Sequence, residues 1–353
     1  MTKRSIRCGM ILFVFSLLLM VNGGSALNAE EGRAVWTHAG NFSNQRDEAL
    51  VQMRKTLDDY RSIGINRMYL FYPLMEDHGK SWDFLKDLLI ESHARSMKVE
   101  PIFMPGHTVA LRGEILEHPE WLIRGMKGEI YPNLNIANPE VRKYIVRRIS
   151  EALTYDIDGI HLDYIRFPVN QNFSYDSETG AAFKKESGYM PLEVSHDNGS
   201  MVWCEWIRWN ARQVTTLVRD VRELLKKSGR NLTLSAAVFP DPVSSEVLIG
   251  QEWGKWPKEK LVDVLCPMLY TNDLARFREY VREAVRLAKG NCQVYAGIAC
   301  TSSHNKNTPE GVAQEVSIAR EEGADGVVFF SGSSLTREFV DRLGATVFAK
   351  KPK

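Results

Sequence analysis

The sequence contains little cysteine, which limits the scaffolds and sites that it can build. Five cysteines occur among 353 residues, too few for a fold held together by disulfides. Cys292 and Cys300 flank one predicted strand, whose extended ends lie too far apart to bridge, so we expect buried thiols. The chain has neither a CxxC nor an HExxH motif, which argues against cysteine-based and zincin-type metal sites.

Long apolar runs are also missing, with one exception at the start of the chain. A basic stretch at residues 3–7 precedes an apolar run over residues 10–21, and small residues then end at Ala26. This three-part layout is typical of a secretory signal. We therefore expect a signal peptide over residues 1–26, cleaved after Ala26, and a secreted or periplasmic protein. The run is short for a membrane span. An uncleaved N-terminal anchor is the alternative, and no other membrane contact is expected.

An excess of charge of either sign is absent as well. The 45 Lys and Arg residues nearly balance the 44 Asp and Glu residues, so the chain lacks the electrostatic signature of a nucleic-acid-binding protein. A hydrophobic content of 44% is normal for a globular chain with a large core. No linker, repeat or low-complexity segment interrupts residues 27–353, which we interpret as one domain.

Short apolar runs alternate with longer helical patterns along this domain. Several runs, such as Met68–Phe71 and Val327–Phe330, are continuously apolar, as expected for parallel strands buried on both faces. The pattern predicts eight strands: Gly32–Thr37, Arg67–Tyr72, Val99–Met104, Gly159–Asp163, Leu232–Val238, Val262–Leu269, Gln293–Ile298 and Gly326–Phe330.

Helical patterns separate these strands. Asn138 followed by Pro139, for example, is a typical helix start. The predicted helices are Asp47–Ile63, Ser81–Met97, Pro139–Leu153, Val202–Lys227, Leu274–Ala288 and Pro309–Glu322, with a last one starting near Leu335. Repeated strand–helix units predict an α/β fold, a (βα)8 TIM barrel. The rival, an open doubly wound sheet, would need a glycine-rich first turn, which residues 38–42 lack.

Two connections are unusually long. Gly106–Asn138 follows the third strand and Tyr164–Ser200 follows the fourth. Loops of this length in a compact domain tend to be functional. Both leave from C-terminal strand ends, where the active sites of barrels lie, so we expect the active site on this face.

The fourth predicted strand carries the residues with the most chemical content. Ile160 and Leu162 alternate with His161 and Asp163, which places the two polar side chains on one face. A charge facing inward is costly unless it is paired or catalytic. Arg166 is close enough in sequence to be its partner. The sequence therefore predicts either a catalytic Asp163 or an ion pair that only fixes the loop.

The segment DGIHLDYIRFP, residues 158–168, resembles the strand-four signature of the family-10-like glycosyl hydrolases, barrel proteins distantly similar to the α-amylase clan. Residues 32–36, 72–76, 78–83, 135–142 and 263–270 fit the same family. The resemblance therefore covers nearly all of residues 27–353, and it implies a barrel, secretion and action on glycans. Some relatives are implicated in trimming bacterial cell-wall glycan strands, which implies peptidoglycan as a substrate. Asp163 matches the strand-four nucleophile of the wider clan. That clan has an arginine two positions earlier, where this chain has His161.

Glycoside hydrolysis usually needs two carboxyl groups flanking the bond. Asp241 follows the fifth strand and Asp273 the sixth, and we rank them equally as partners of Asp163; Glu76, after the second strand, ranks third. Asp241 and Asp273 also have simpler interpretations, since Asp241 can shape a turn between prolines and Asp273 can cap the next helix.

Histidine and aromatic side chains at strand ends complete the predicted site. His38, His107 and His161 with Asp163 would suit a metal hydrolase or deacetylase, but the paired histidines of barrel metallohydrolases are missing, and we expect no metal or cofactor. Aromatic rings pack against sugar rings. The predicted substrate-binding residues are Trp36, His38, His107, His161, Tyr164, Arg166, Trp253 and Tyr270. By contrast, the spacing of Trp203, Trp206 and Trp209 on a helix predicts core packing.

These features favour a glycoside hydrolase that acts on a polysaccharide through carboxylate chemistry centred on Asp163. A non-catalytic glycan-binding barrel is the alternative, because a fold can keep its groove after losing its chemistry.

Overall fold

The computed structural model describes residues 30–72, 80–170, 173–193 and 200–349. The predicted signal peptide therefore lies outside the described residues and stays a prediction. The strands are β1 (Gly32–His38), β2 (Arg67–Phe71), β3 (Lys98–Phe103), β4 (Leu122–Arg124), β5 (Ile130–Leu134), β6 (Gly159–Leu162), β7 (Thr233–Val238), β8 (Val264–Pro267), β9 (Gln293–Ala299) and β10 (Gly326–Phe330).

Eight of these strands close into a barrel in the order β1-β10-β9-β8-β7-β6-β3-β2. All neighbours in the barrel are parallel, and β1 closes the ring by pairing with β10 in a register that sets Val35 opposite Phe329. The predicted (βα)8 barrel is confirmed. The strands are almost entirely buried, as their continuously apolar sequences predict.

Helices surround the barrel and bury its outer face. They are α1 (Arg46–Ser62), α2 (Phe84–His93), α3 (Glu114–Glu117), α4 (Pro139–Ala152), α5 (Ser177–Ser187), α6 (Met201–Lys227), α7 (Pro242–Ile249), α8 (Leu274–Ala288), α9 (Pro309–Glu321) and α10 (Arg337–Ala345). The predicted start of α4 is present, with the Asn138 side chain accepting from the Glu140 amide. No helix among the described residues is both long and apolar enough to span a membrane.

The long loops contain structure that the sequence patterns did not predict. The segment after β3 holds α3 and an antiparallel ribbon of β4 and β5, and the segment after β6 holds α5. The connection after β7 contains α7, also unpredicted. All three additions follow C-terminal strand ends, so they build up the face on which barrel active sites lie.

Two packing predictions can be checked directly. Trp203, Trp206 and Trp209 on α6 are all buried in the core between barrel and helices, which confirms the core interpretation. Cys266, Cys292 and Cys300 are buried free thiols, whereas Cys204 is half-exposed.

Candidate active site

A cavity of about 1500 Å³ lies at the C-terminal ends of the barrel strands. Most of its wall is aromatic or apolar, and a few charged groups converge on it, which is the usual character of a ligand site. Six of the predicted substrate-binding residues line it: Trp36, His38, His107, Tyr164, Arg166 and Tyr270. Asp163 lies in the same wall.

Asp163 follows directly after β6 and is 6% exposed. Its backbone amide donates to the carbonyl of Phe103 at 2.9 Å, which extends the β3–β6 pairing by one residue. Its Oδ1 accepts from the Tyr164 amide at 2.6 Å. Burial raises the pKa of the Asp163 carboxyl, against the opposing effects of the Arg166 charge, the Tyr164 amide and His107.

The turn that follows Asp163 is held tightly against the β3 loop. Tyr164 has a left-handed backbone with φ 47°, and its carbonyl accepts from the Gly106 amide at 2.8 Å. A Cβ on Gly106 would lie 1.8 Å from the Arg166 carbonyl oxygen. Only glycine permits this approach, and the contact fixes where Tyr164 and Arg166 stand relative to Asp163.

Arg166 is a buried cation that does not use all of its hydrogen-bond donors. Its guanidinium lies 4.0 Å from the ring centre of Tyr164 and 4.7 Å from that of Phe239. Its Nη1 is 3.7 Å from Asp163 Oδ1, too long for a hydrogen bond, and has no hydrogen-bond partner among the described residues. The ion pair predicted from sequence is present, but it does not use the full donor capacity of Arg166.

The candidate second carboxylates occupy different places. Asp273 lines the cavity and is exposed, while its Oδ1 accepts from the amides of Ala275 and Arg276 at the start of α8. Asp241 is outside the cavity lining and caps α7 through the Ser244 amide. Asp241 is therefore not supported as a catalytic group. Glu76 lies outside the described residues.

Two predicted substrate-binding residues are not in the cavity wall. His161 is fully buried beneath the cavity and uses both ring nitrogens within the barrel, towards Trp36 and Ser235. Trp253 is fully buried in a short turn that packs against α7 and α8. Neither side chain is accessible to a sugar, so both assignments are wrong.

Aromatic side chains that were not predicted complete the wall. Phe71 stacks on His38 at 4.2 Å, and Phe330 stacks on Tyr270 at 5.4 Å. Phe71 and Phe330 are the last residues of β2 and β10, so a search of every strand end for aromatic residues would have found them. Burial and the Asp163 charge raise the pKa of Tyr270, so its hydroxyl stays protonated and can act as a donor.

His38, His107, His161 and Asp163 are not arranged as ligands of one metal ion. Among the described residues, no group of three or more His, Cys, Asp or Glu side chains is arranged to hold a metal ion. His161 accepts from the Trp36 indole through Nε2 and contacts Ser235 through Nδ1, so it has no free lone pair to offer.

The closed parallel barrel, with its cavity at the C-terminal strand ends, has the fold of the glycoside hydrolase barrels. By its sequence the chain belongs to the Glycosyl hydrolase-like 10 family, which it matches over residues 35–315. The family resemblance drawn from residues 158–168 is thereby confirmed.

Solved structures share the fold at low identity. The PgaB (BpsB) glycoside hydrolase domain from Bordetella bronchiseptica matches with a TM-score of 0.73 at 12% identity, over 90% of this chain and 99% of that one. The β-galactosidase from Marinomonas ef1 matches with a TM-score of 0.66 at 13% sequence identity, over 89% of this chain and 58% of that one. The catalytic domain of a Paenibacillus polymyxa β-amylase matches with a TM-score of 0.61 at 11% sequence identity, over 91% of this chain and 99% of that one. No match was found among curated protein sequences.

Proposed function

We propose that this protein is a secreted or periplasmic glycoside hydrolase that cleaves a polysaccharide, with Asp163 as its catalytic carboxyl group. One observation carries the proposal: the Asp163 carboxyl group is buried in the wall of an aromatic cavity at a C-terminal strand end. Burial there raises its pKa. Perturbed carboxyl groups in such clefts are typical of catalytic acids and bases. Membership of a glycosyl hydrolase-like family supports the same activity.

Asp163 can act with a second carboxyl group across the cavity. Asp273 is the candidate that the described cavity wall favours, because it is exposed there and Asp241 is not in the wall. In this scheme one group protonates the leaving oxygen while the other acts as base or nucleophile. The Tyr270 hydroxyl would donate to sugar oxygens, and the aromatic wall would pack against the rings.

The proposed polymer is a bacterial cell-wall glycan. Residues 158–168 resemble a family in which some members are implicated in trimming cell-wall glycans, which favours peptidoglycan glycan strands, and the aromatic cavity suits a chain of sugars. We expect no cofactor and no nucleic-acid partner.

A non-catalytic glycan-binding barrel is the second candidate. The observation in its favour is that Asp273 already accepts two backbone amides at the start of α8. This capping role accounts for an aspartate at the start of α8 without any part in catalysis.

The test is the release of reducing ends from a panel of polysaccharides that includes peptidoglycan strands with and without stem peptides. The samples are wild type, Asp163→Asn and Asp273→Asn, with Asp241→Asn as the matched control. Asn is as good an N-cap as Asp, so the Asp241 and Asp273 variants keep their helix caps. Hydrolysis is supported if wild type and the control release sugars and Asp163→Asn does not. Binding of one polymer without release by wild type would favour the second candidate.

A further inference from the structure

A chain of buried hydrogen bonds runs from the cavity wall into the barrel interior. The Trp36 indole N–H donates to His161 Nε2 at 3.0 Å. His161 Nδ1 lies 2.8 Å from Ser235 Oγ, and Ser235 donates to Glu100 Oε2 at 2.6 Å. Glu100 in turn accepts from the Arg67 guanidinium through Oε1. All five side chains are buried, and of the five only Trp36 reaches the cavity.

The direction of these bonds fixes the protonation of His161. An indole N–H can only donate, so His161 Nε2 must carry a lone pair. The proton of the neutral ring then lies on Nδ1 and donates to Ser235, whose own proton goes to Glu100. Burial and the charge of Arg67 lower the pKa of His161 well below its usual range. A doubly protonated ring would set two N–H groups against each other at Trp36.

The position of the His161 ring is also set by packing. Tyr69 stacks on it with ring centres 3.9 Å apart, and the Trp36 ring meets it edge-on at 5.9 Å. Trp36 in turn contacts Phe330, whose ring lies 6.3 Å away in the cavity wall. A displacement of His161 would therefore move the Trp36 indole, which lines the inner end, or floor, of the cavity.

We propose that His161 is a positioning residue, a neutral Nδ1–H imidazole that fixes the Trp36 indole in the floor of the cavity that Asp163 faces. The consequence for catalysis rests on the proposed glycoside hydrolase function. Trp36 is only 2% exposed, so it acts on a bound sugar mainly through the wall residues that it supports, such as Phe330. Small displacements of the sugar from the reacting group lower the rate. His161 acts through Trp36 and does not touch the sugar.

The chain contains a matched control for this arrangement. The Trp256 indole donates to Thr215 Oγ1 at 2.9 Å, and Thr215 donates to Glu252 at 2.8 Å. These three residues are buried and lie outside the cavity wall. Thr215→Val therefore leaves a buried indole N–H without its acceptor, as His161→Leu does, with a similar loss of stability but no effect on the cavity.

The first measurement is NMR on protein labelled with ¹⁵N in histidine and tryptophan. We expect His161 to show the neutral Nδ1–H tautomer, without titration between pH 5 and 8. The Trp36 indole resonance, assigned by its loss in Trp36→Phe, should shift in His161→Leu and stay in place in Thr215→Val. His161→Gln, whose amide oxygen can replace Nε2 as acceptor, should return it towards the wild-type position. Titration of His161 in this range, or an unmoved Trp36 resonance in His161→Leu, would overturn the proposal.

The second measurement is kinetic, on the polysaccharide of the panel that wild type cleaves. His161→Leu should lower kcat about 10- to 100-fold with a smaller change in KM, His161→Gln should recover most of the loss, and Thr215→Val should stay within about twofold of wild type. An unchanged kcat in a folded His161→Leu variant contradicts the catalytic consequence. If wild type cleaves no polymer, the proposed function fails, and the NMR measurement alone decides whether His161 positions Trp36.

Discussion

At the scale of single residues, opposing effects set the pKa of the Asp163 carboxyl group. Burial favours its protonated form, whereas the Arg166 charge 3.7 Å away favours its ionised form. Because Arg166 is itself buried between two aromatic rings, solvent screens this charge only weakly. The pair therefore tunes the proton affinity of Asp163 as well as fixing the loop.

Arg166→Met should move the pH dependence of activity upwards. Removing the cation removes an effect that lowers the pKa of Asp163, so the limb of the rate profile governed by Asp163 should shift to higher pH, whether its acid or its base form is active. The measurement is kcat/KM against pH on a cleaved polysaccharide. Arg276→Met is the control, because Arg276 lines the cavity but is not among the groups that influence Asp163. A limb that stays in place or moves down would contradict the account.

The residue predictions show what strand periodicity can and cannot supply. Alternation along β6 and the residue after it correctly places His161 and Asp163 on one side of the chain, and Asp163 does reach the cavity. His161 comes two residues earlier, about 6–7 Å deeper along the strand, and so lies inside the barrel. Periodicity gives the face of a side chain but not its depth. Trp253 fails for a related reason, since following a strand end in sequence does not guarantee facing the cavity.

At the scale of elements, the sequence contains a helix-start signal for α7 that was not recognised as one. Pro240, Asp241 and Pro242 were interpreted as a turn or a catalytic position, whereas Asp241 is the N-cap and Pro242 the first residue of α7. An Asp followed by Pro at N1 is the same kind of signal that correctly predicted α4. The β4–β5 ribbon was harder to predict, because its strands are short and Pro132 interrupts the second.

Helix α9 contains a buried carboxyl group that should make stability depend on pH. Glu315 is 1% exposed, and neither of its carboxylate oxygens has a hydrogen-bond partner among the described residues. Burial raises its pKa to about 8, against a weaker effect of Asn307. Between its ordinary value of 4.5 and about 8, the folded state keeps a proton that the unfolded state loses, so this group lowers the stability of wild type as pH rises through that window.

Glu315→Gln should therefore flatten the decline in the free energy of unfolding between pH 5 and 8. The measurement is urea denaturation at several pH values. Glu310→Gln, which changes an exposed residue of the same helix, is the control and should follow the wild-type curve. A Glu315→Gln curve parallel to wild type would show that Glu315 does not hold its proton in the folded state.

At the scale of the whole molecule, the barrel was predictable because each strand–helix unit has its own local pattern. The polar chain through its interior was not, because its partners are far apart in sequence: Trp36 and His161 are separated by 125 residues, and Ser235 and Glu100 by 135. Only closure of the barrel brings them together. Arg67 and Glu100, by contrast, lie on the neighbouring strands β2 and β3, whose pairing places them side by side in the interior.

Arg67→Met should destabilise the folded barrel by about 3–5 kcal/mol near pH 8, because it leaves a buried carboxylate without its cation. Burial already raises the pKa of Glu100 to about 7, so the loss should shrink at pH 5, where the carboxyl group is protonated. Chemical denaturation at both pH values measures it. The double variant Arg67→Met/Glu100→Gln should recover much of the stability at pH 8, and equal stability of wild type and Arg67→Met would contradict this view of the interior.

The central claim is that Asp163 is the catalytic carboxyl group of a glycoside hydrolase, and the most direct test compares kcat/KM for sugar release by Asp163→Asn and Asp241→Asn. The account predicts that Asp163→Asn, although folded, loses about 10²- to 10⁴-fold, the usual contribution of a general acid or base, while Asp241→Asn remains near wild type. Full activity in a folded Asp163→Asn variant would contradict it.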